Sequence, residues 1–419
     1  MKYIRSSIKA ALVVLCWIKL GFLQAQVISL DSVLATIRER NPMLADFRHR
    51  IYAMNEFAKG AKALMAPEVG GGPWMFPYPG SNVTEDRDKG QVMISVQQRF
   101  TNPAKLRANQ AYLDSKAAIE QAGEQFTFNE LRAQAKTAYY QWLVLEKEKS
   151  ILLDNREIIQ LVLKITRVRY PYNQTKFGNI YKAEGRLSEV ENMLLMNENS
   201  IIQKNIVLNQ LMNLPKEIRF AIDTTNRYGD FIPVHVDTTL FAQNRSDINR
   251  IDRNIQSMRL SQTLERKQLK PDFTLGYNHM VPVAKGMPSQ YMLLGMITIP
   301  IAPWSSKMYR SNISGMENQI RAMKSERESI LNELEGMTDG MVNEIQTLRQ
   351  QVSNYEKRII PSLNRNYETL MLAYEENREE LPIVIDAYEA LLMAQLQYLN
   401  TLTRFYEMIV TYEKLLENE

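Results

Sequence analysis

The chain has 419 residues, enough for two or three ordinary domains or one elongated one, and a formal charge of +4 from 51 basic and 47 acidic residues. All of that excess sits in Lys2, Arg5, Lys9 and Lys19, ahead of the first acidic residue, so the remainder is neutral and lacks the basic face of a nucleic-acid binder. The only cysteine, Cys16, lies in the same stretch, which leaves no thiol elsewhere for disulfides, thiolate metal sites or cysteine catalysis.

Residues 1–25 combine a basic start, an apolar core over 10–18 and Leu23-Gln24-Ala25. This pattern predicts a secretory signal peptide cut before Gln26. The apolar run is too short to span a bilayer, and Val13-Val14-Leu15 lack the small residue expected before a lipid-bearing cysteine. Residues 29–65 then read as a helix, with Leu30, Val33, Leu34, Ile37, Leu44, Phe47, Ile51 and Met54 on one side and Asn41-Pro42 as a restart. Gly70-Gly71-Gly72-Pro73 and the aromatic run to Pro79 cannot continue it. From Gln91 to Phe100, Val92, Ile94, Val96 and Phe100 alternate with Met93, Ser95, Gln97 and Arg99, the period of a strand with one apolar and one polar face.

A very long helix is predicted over 104–170. Phe128, Leu131, Ala135, Ala138, Trp142, Leu145, Leu152, Ile159, Leu163, Thr166 and Tyr170 hold a heptad seam. After a break at 171–178, a return helix spans 180–214 and Pro215 closes it. Residues 216–243 form a connector. The order then recurs: a helix over 246–269, strands within 272–301 with Phe273, Leu275, Tyr277, His279 and Val281 alternating, and a second long helix over 306–374. Its seam runs through Ile320, Leu334, Met337, Ile345, Leu348, Tyr355, Ile359, Leu363, Tyr367 and Tyr374. At about 1.5 Å per residue such a helix is roughly 100 Å long, more than a compact domain needs. A polar run ending at Pro382 breaks it, and residues 383–416 return.

The recurrence is measurable. Adding 204 carries Pro67 to Pro271, Tyr170 to Tyr374 and Ala183 to Ala387; adding 203 carries Met93 to Met296, Leu131 to Leu334 and Leu145 to Leu348. The expected organisation is therefore a signal peptide (1–25), a first repeat (26–215), a connector or equatorial segment (216–243) and a second repeat (244–419). The first repeat holds a hairpin (68–100), a long helix (104–170) and a return helix (180–214). The second holds a hairpin (272–301), a long helix (306–374) and a return helix (383–416). A lone hairpin is not stable in water. In an exported chain, two alternating hairpins with aromatic flanks suit a membrane barrel, which must be closed and too few strands are present in one chain to close it. A soluble exported coiled-coil protein of the envelope is the alternative of a different class.

On these residues the chain resembles the TolC family of outer-membrane efflux channels. Asn41-Pro42-Met43-Leu44 is similar to the family's Asn-Pro-x-Leu, and Arg245-Ser246-Asp247-Ile248 to its Arg-Pro-Asp-Leu, with Ser246 in place of proline. Tyr374 to Ala387, followed by Leu391, Leu392, Ala394, Gln395 and Tyr398, resembles the second tip and return helix. The resemblance implies a mainly α chain with a membrane β-barrel: a homotrimer whose 12-stranded barrel continues into a periplasmic α-helical barrel. It implies residence in outer-membrane lipid, partnership with a periplasmic adaptor and an inner-membrane resistance-nodulation-division pump, and passive transport. In overall appearance it leans toward the partners of heavy-metal cation pumps; multidrug efflux and type I secretion use the same architecture.

No HExxH, phosphate-binding glycine loop or GxSxG is present, so neither an enzyme nor a cofactor is expected. His49 and His235 are isolated. His279 and Met280, with Met287, Met292 and Met296, are candidates for a soft metal, against a reading of the methionines as apolar filling on strands. At the tips, Tyr170, Asn173, Gly178, Tyr374, Glu375, Glu376, Glu379 and Glu380 are the expected gate and adaptor contact. The four glutamates against Arg378 leave this tip acidic, and threefold repetition would give carboxylate rings that favour cations; a plain solvated turn is the competing reading.

Overall fold

The structure is a computed structural model that describes residues 27–172, 174–225, 238–300 and 302–417. The predicted signal peptide, Asn173 and His235 lie outside the described residues.

The chain begins with β1 (Val27–Ile28), α1 (Leu30–Arg40) and α2 (Pro42–Gly60), then β2 (Glu68–Trp74), β3 (Gln91–Phe100), α3 (Pro103–Arg169) and α4 (Phe177–Leu211). After β4 (Ala221–Ile222) and the short α5 (Thr238–Asn244), the order recurs in α6 (Ser246–Gln268), β5 (Asp272–Pro282) and β6 (Gln290–Thr298). The second long arm is α7 (Pro303–Asn354), a π-helical turn at Tyr355–Ile359 and α8 (Ile360–Glu375), and α9 (Leu381–Leu416) returns. The equivalent starts Pro42 and Ser246, Glu68 and Asp272, and Phe177 and Leu381 are each 204 apart.

The chain divides into two compact units. The unit of Ala45–Phe126 and Thr239–Glu333 contains an antiparallel sheet in the order β2-β3-β5-β6. Its central pair, β3 and β5, runs in register from Gln91 opposite Pro282 to Phe100 opposite Phe273. Gly90, at φ +87°, closes the first hairpin loop; a Cβ there would meet the Phe76 ring at 2.7 Å, so only glycine fits. At the foot of β5 the buried Asp272 carboxylate accepts from Lys105 Nζ and Arg99 Nη2, both at 2.9 Å, and from the Asn102 backbone N–H at 3.0 Å. These bonds tie the start of α3 to the second repeat. A small apolar cluster, Ile251, Ile255 and Ile320, joins α6 to α7.

The other unit comprises Met1–Leu44, Thr127–Thr238 and Leu334–Glu419. Its core is the seam between the arms and the return helices: Leu152, Ile159 and Leu163 of α3, Val190 of α4, Tyr367 and Tyr374 of α8, and Val384, Tyr388 and Leu391 of α9. Burying one such side chain stabilises by about 1.5–3 kcal/mol, so this packing, and not helix propensity, holds the long arms. The Asn-Pro pair has a local physical reason. Asn41 Oδ1 accepts from Met43 N–H at 2.9 Å and caps α2, Pro42 takes the first helical position, and Asn41 Nδ2 donates to Leu211 O at 2.8 Å.

Several expectations are corrected. The first helix stops at Gly60, short of residue 65. The connector contains β4, which pairs in parallel with β1; Tyr139 Oη bonds the Ile28 and Asp223 carbonyls beside that pair. Tyr170 leaves the seam and is exposed, because the chain tightens into a 3₁₀ turn at Tyr170–Tyr172. Met337 is exposed and Thr338 takes its place, fully buried, with its hydroxyl on Leu334 O at 2.7 Å. The second arm is not one α-helix: the π turn widens a step, so Ile360 continues the seam and Ile359 is exposed.

Candidate functional site

The two tips come together. Arg169, the last residue of α3, donates from Nη1 to Tyr374 O at 2.6 Å and from Nη2 to Glu375 O at 2.7 Å. Its guanidinium carbon lies 4.4 Å from the centre of the Tyr374 ring. The Tyr374 hydroxyl is 3.3 Å from that of Thr166. One planar cation thus completes the carbonyl-rich end of α8, where unpaired C=O groups favour positive charge, and stacks on an aromatic face. Beneath it the Tyr367 hydroxyl is pushed up to about 12, first by burial and then by Glu375 and Glu368.

The second tip turns at Asn377, φ +59°, with Asn377 N–H on Tyr374 O and Arg378 N–H on Ala373 O. Both tips line one cleft of 510 Å³, which includes Arg169, Gln174, Lys176, Tyr374, Arg378, Glu379 and Glu380. Glu375, Glu376 and Glu380 are exposed and Glu379 is half-buried; Glu376 pairs with Arg378 at 3.1 Å. The acidity expected here is mostly offset, because Arg169 and Lys176 line the same cleft. Arg169 is the residue that sequence reading missed. It sits off the seam, and no periodicity announces a contact across 205 positions. On the first tip, Tyr170 packs on Phe177 at 5.1 Å and Phe177 on Tyr181 at 4.9 Å, an exposed aromatic cluster. Gly178 stands open beside Phe177, with nothing within 4 Å of a Cβ position.

The sheet is the other candidate region. Strand register sorts its side chains into two faces. Val92, Ile94, Val96 and Phe100 share one face with Phe273, Leu275, Tyr277, Val281, Tyr291, Leu293 and Ile297. These apolar residues are exposed, Leu293 to 64% and Leu275 to 53%. The opposite face carries Gln91, Ser95, Gln97, Arg99, Thr274, Asn278 and Gln290. The outer strands, β2 and β6, each have one unpaired edge among the described residues. His279 and Met280 do not converge: as neighbours in β5 they lie on opposite faces, His279 between Ile94 and Tyr291, Met280 beside Met93. Met93, Met280, Met292 and Met296 lie on the opposite face to the apolar one, together with Leu294. His49 is exposed on α2. Among the described residues, no three His, Cys, Asp or Glu side chains gather to hold a metal ion. No helix of the described residues is long and apolar enough to cross a membrane.

No family model and no curated protein matches the sequence. Solved structures match over most of the chain. The outer-membrane channel OprN has a TM-score of 0.76 at 12% identity, covering 93% of this chain and 90% of its own. The outer membrane protein VceC from Vibrio cholerae has 0.72 at 16%, covering 92% and 95%. The open state of the Neisseria gonorrhoeae MtrE outer membrane channel has 0.73 at 14%, covering 92% and 88%. The chain shares its fold with these outer-membrane channels.

Proposed function

We propose that this chain is a passive outer-membrane exit channel of a tripartite efflux system, with heavy-metal cations as its cargo. The observation that carries the reading is the sheet: an exposed apolar face, a polar opposite face and two unpaired edges. Water does not favour that arrangement; hydrocarbon does, provided the edges are closed by further strands. Three copies of four strands close a 12-stranded barrel, the apolar face to lipid and the polar face to the lumen. The likeness to solved outer-membrane channels supports this assembly.

The helical arms then extend into the periplasm, and their tips form the gate. Arg169 bonded to Tyr374 and Glu375 holds the two hairpins of one chain together and favours the closed state. Glu375, Glu376, Glu379 and Glu380 give the mouth a modest cation preference. The exposed Tyr170, Phe177 and Tyr181 offer the adaptor an aromatic anchor of the kind that dominates interfaces, and an inner-membrane resistance-nodulation-division pump completes the path. The chain's own chemistry is positioning and electrostatics.

The test is native mass and planar-bilayer conductance of the protein extracted in mild detergent. A trimer with small, cation-preferring conductance is expected. A monomer soluble without detergent that conducts nothing would replace the channel with a structural envelope protein. Replacing the four tip glutamates by glutamine lowers cation preference; unchanged selectivity removes them from the gate.

A further inference from the structure

The described strands contain Met93, Met280, Met292 and Met296, and all four project from the polar face of the sheet. The apolar face is built mainly from Val, Ile, Leu, Phe and Tyr, with Gln98 and His279 among them. Leu294 shares the methionine face, but no methionine of the described strands stands on the apolar face, and Met93, Met280 and Met292 are neighbours there.

We propose that Met93, Met280 and Met292 form a thioether site for a soft monovalent cation, Cu(I) or Ag(I). The site rests on the reading of the polar face as the channel lumen. It lies within one chain. Met93 of β3 stands directly opposite Met280 of β5. Met280 pairs with Gln290 of β6 and Asn278 with Met292, so Met292 is the diagonal neighbour of Met280. Directly opposed residues have Cβ atoms about 5 Å apart and diagonal ones about 7 Å, within reach of a side chain with three rotatable bonds. The far side of Met93 is open: its partner in β2 is Gly72, with nothing within 4 Å of a Cβ position. The Met93 thioether therefore swings without displacing a neighbour.

The surroundings set the selectivity. Ser95, Asn278 and Gln290 are neutral, and no carboxylate belongs to the cluster. A hard divalent cation finds no charge to replace its hydration, whereas thioethers suit Cu(I) and its heavier congener. A neutral three-sulfur site also releases its ion readily, as a conduction path requires. His279, on the other face, takes no part.

The experiment is titration of the detergent-purified full chain with Ag(I), wild type against Met93→Leu/Met280→Leu/Met292→Leu. Leucine keeps volume and apolarity, so the sheet is preserved. Wild type is expected to bind about one Ag(I) per chain, and the triple variant to lose affinity by more than about tenfold, the least that an outer-shell change costs a metal site. Met280→Leu alone repeats the loss should the triple variant fold poorly, and Met43→Leu, on an exposed helix position, leaves binding unchanged. Equal Ag(I) binding in wild type and Met280→Leu overturns the site. Because all three sulfurs belong to one chain, binding is read whether or not the protein assembles; absent trimers and conductance would instead overturn the channel reading.

Discussion

The two long arms are copies of one element, and they are built differently. The first, α3, is 67 residues of unbroken α-helix, its root held by the buried Asp272–Lys105 pair. The second is divided by the π turn; in its first turn the Ser305 and Ser306 hydroxyls bond the Ala302 and Pro303 carbonyls, and further along it packs on α6 through Ile320. In the π turn Ile360 N–H bonds back to Tyr355 O, five residues earlier. Pro361 follows and has no N–H to give, which makes a regular α-helix costly at that point. Beside it a polar cleft of 400 Å³ opens between the arm and α9, and Tyr398 Oη donates to Glu356 Oε1 at 2.6 Å. A π turn inside an α-helix is frequent at functional sites and is one of the few causes of a kink. The comparison teaches that duplication gave one arm of continuous α-helix and one interrupted by a π turn.

The largest expected effect is at the root of the first arm. Asp272→Asn leaves the buried Lys105 ammonium without its counter-charge and costs about 3 kcal/mol, the range measured on removing one partner of a buried pair. Thermal melting of the purified protein checks it. The same experiment on Ser306→Ala, at the other root, should show less than about 1 kcal/mol, since only one hydroxyl bond is lost.

Next comes the junction of the tips. Arg169→Ala removes two charge-assisted bonds and the stack on Tyr374. Taking the low end for a partly exposed charged donor, about 1.5 kcal/mol, the proposed gate would lose about tenfold in its closed-to-open ratio. Single-channel conductance should rise accordingly, with no loss of assembly. Deleting Lys357 sharpens the comparison. It removes the extra residue of the π turn and makes the second arm like the first, at a stability change within about 1 kcal/mol. In an Arg169→Ala background it should abolish most of the conductance gain; an undiminished gain would mean the π turn takes no part in opening.

Much of this was legible in the sequence, and the π turn nearly so. The repeat offset is 203 at Leu131–Leu334 and Leu145–Leu348 and 204 at Tyr170–Tyr374 and Ala183–Ala387. That change is a one-residue insertion between Leu348 and Tyr374, and Tyr355–Ile359 is where the helix absorbs it. Heptads and strand alternation located the arms and the sheet because burial acts along one helix stripe or one strand face. Alternation alone also separates His279 from Met280. What stayed hidden depends on meetings between distant segments: the two-residue pair of β1 and β4 is too short for any period, and Arg169 finds Tyr374 only once both hairpins are folded.

The smallest effects lie where the two seams diverge. At an offset of 204, Leu163 of the first seam becomes Tyr367, and Glu184, paired with Arg167 at 2.7 Å, becomes Tyr388. The two tyrosine rings pack edge to face at 6.3 Å. Burial pushes the Tyr367 hydroxyl from its ordinary 10 to about 12 and pushes Tyr388 up as well. Above pH 10 the unfolded chain loses these protons while the folded chain keeps them. The folded state then binds more protons, so stability is intact below pH 10 and declines as pH rises toward 12. Hydrogen exchange should show the second hairpin loosening in that window before the first, which has leucine in place of Tyr367. The Tyr388 hydroxyl has no hydrogen-bond partner among the described residues. Tyr388→Phe therefore deletes a desolvated polar group and leaves the packing, so stability at neutral pH should be unchanged or slightly higher. Its clearer signature is alkaline: with one of the two buried hydroxyls gone, the decline above pH 10 becomes shallower, and a slope unchanged from wild type would show that Tyr388 does not contribute to it.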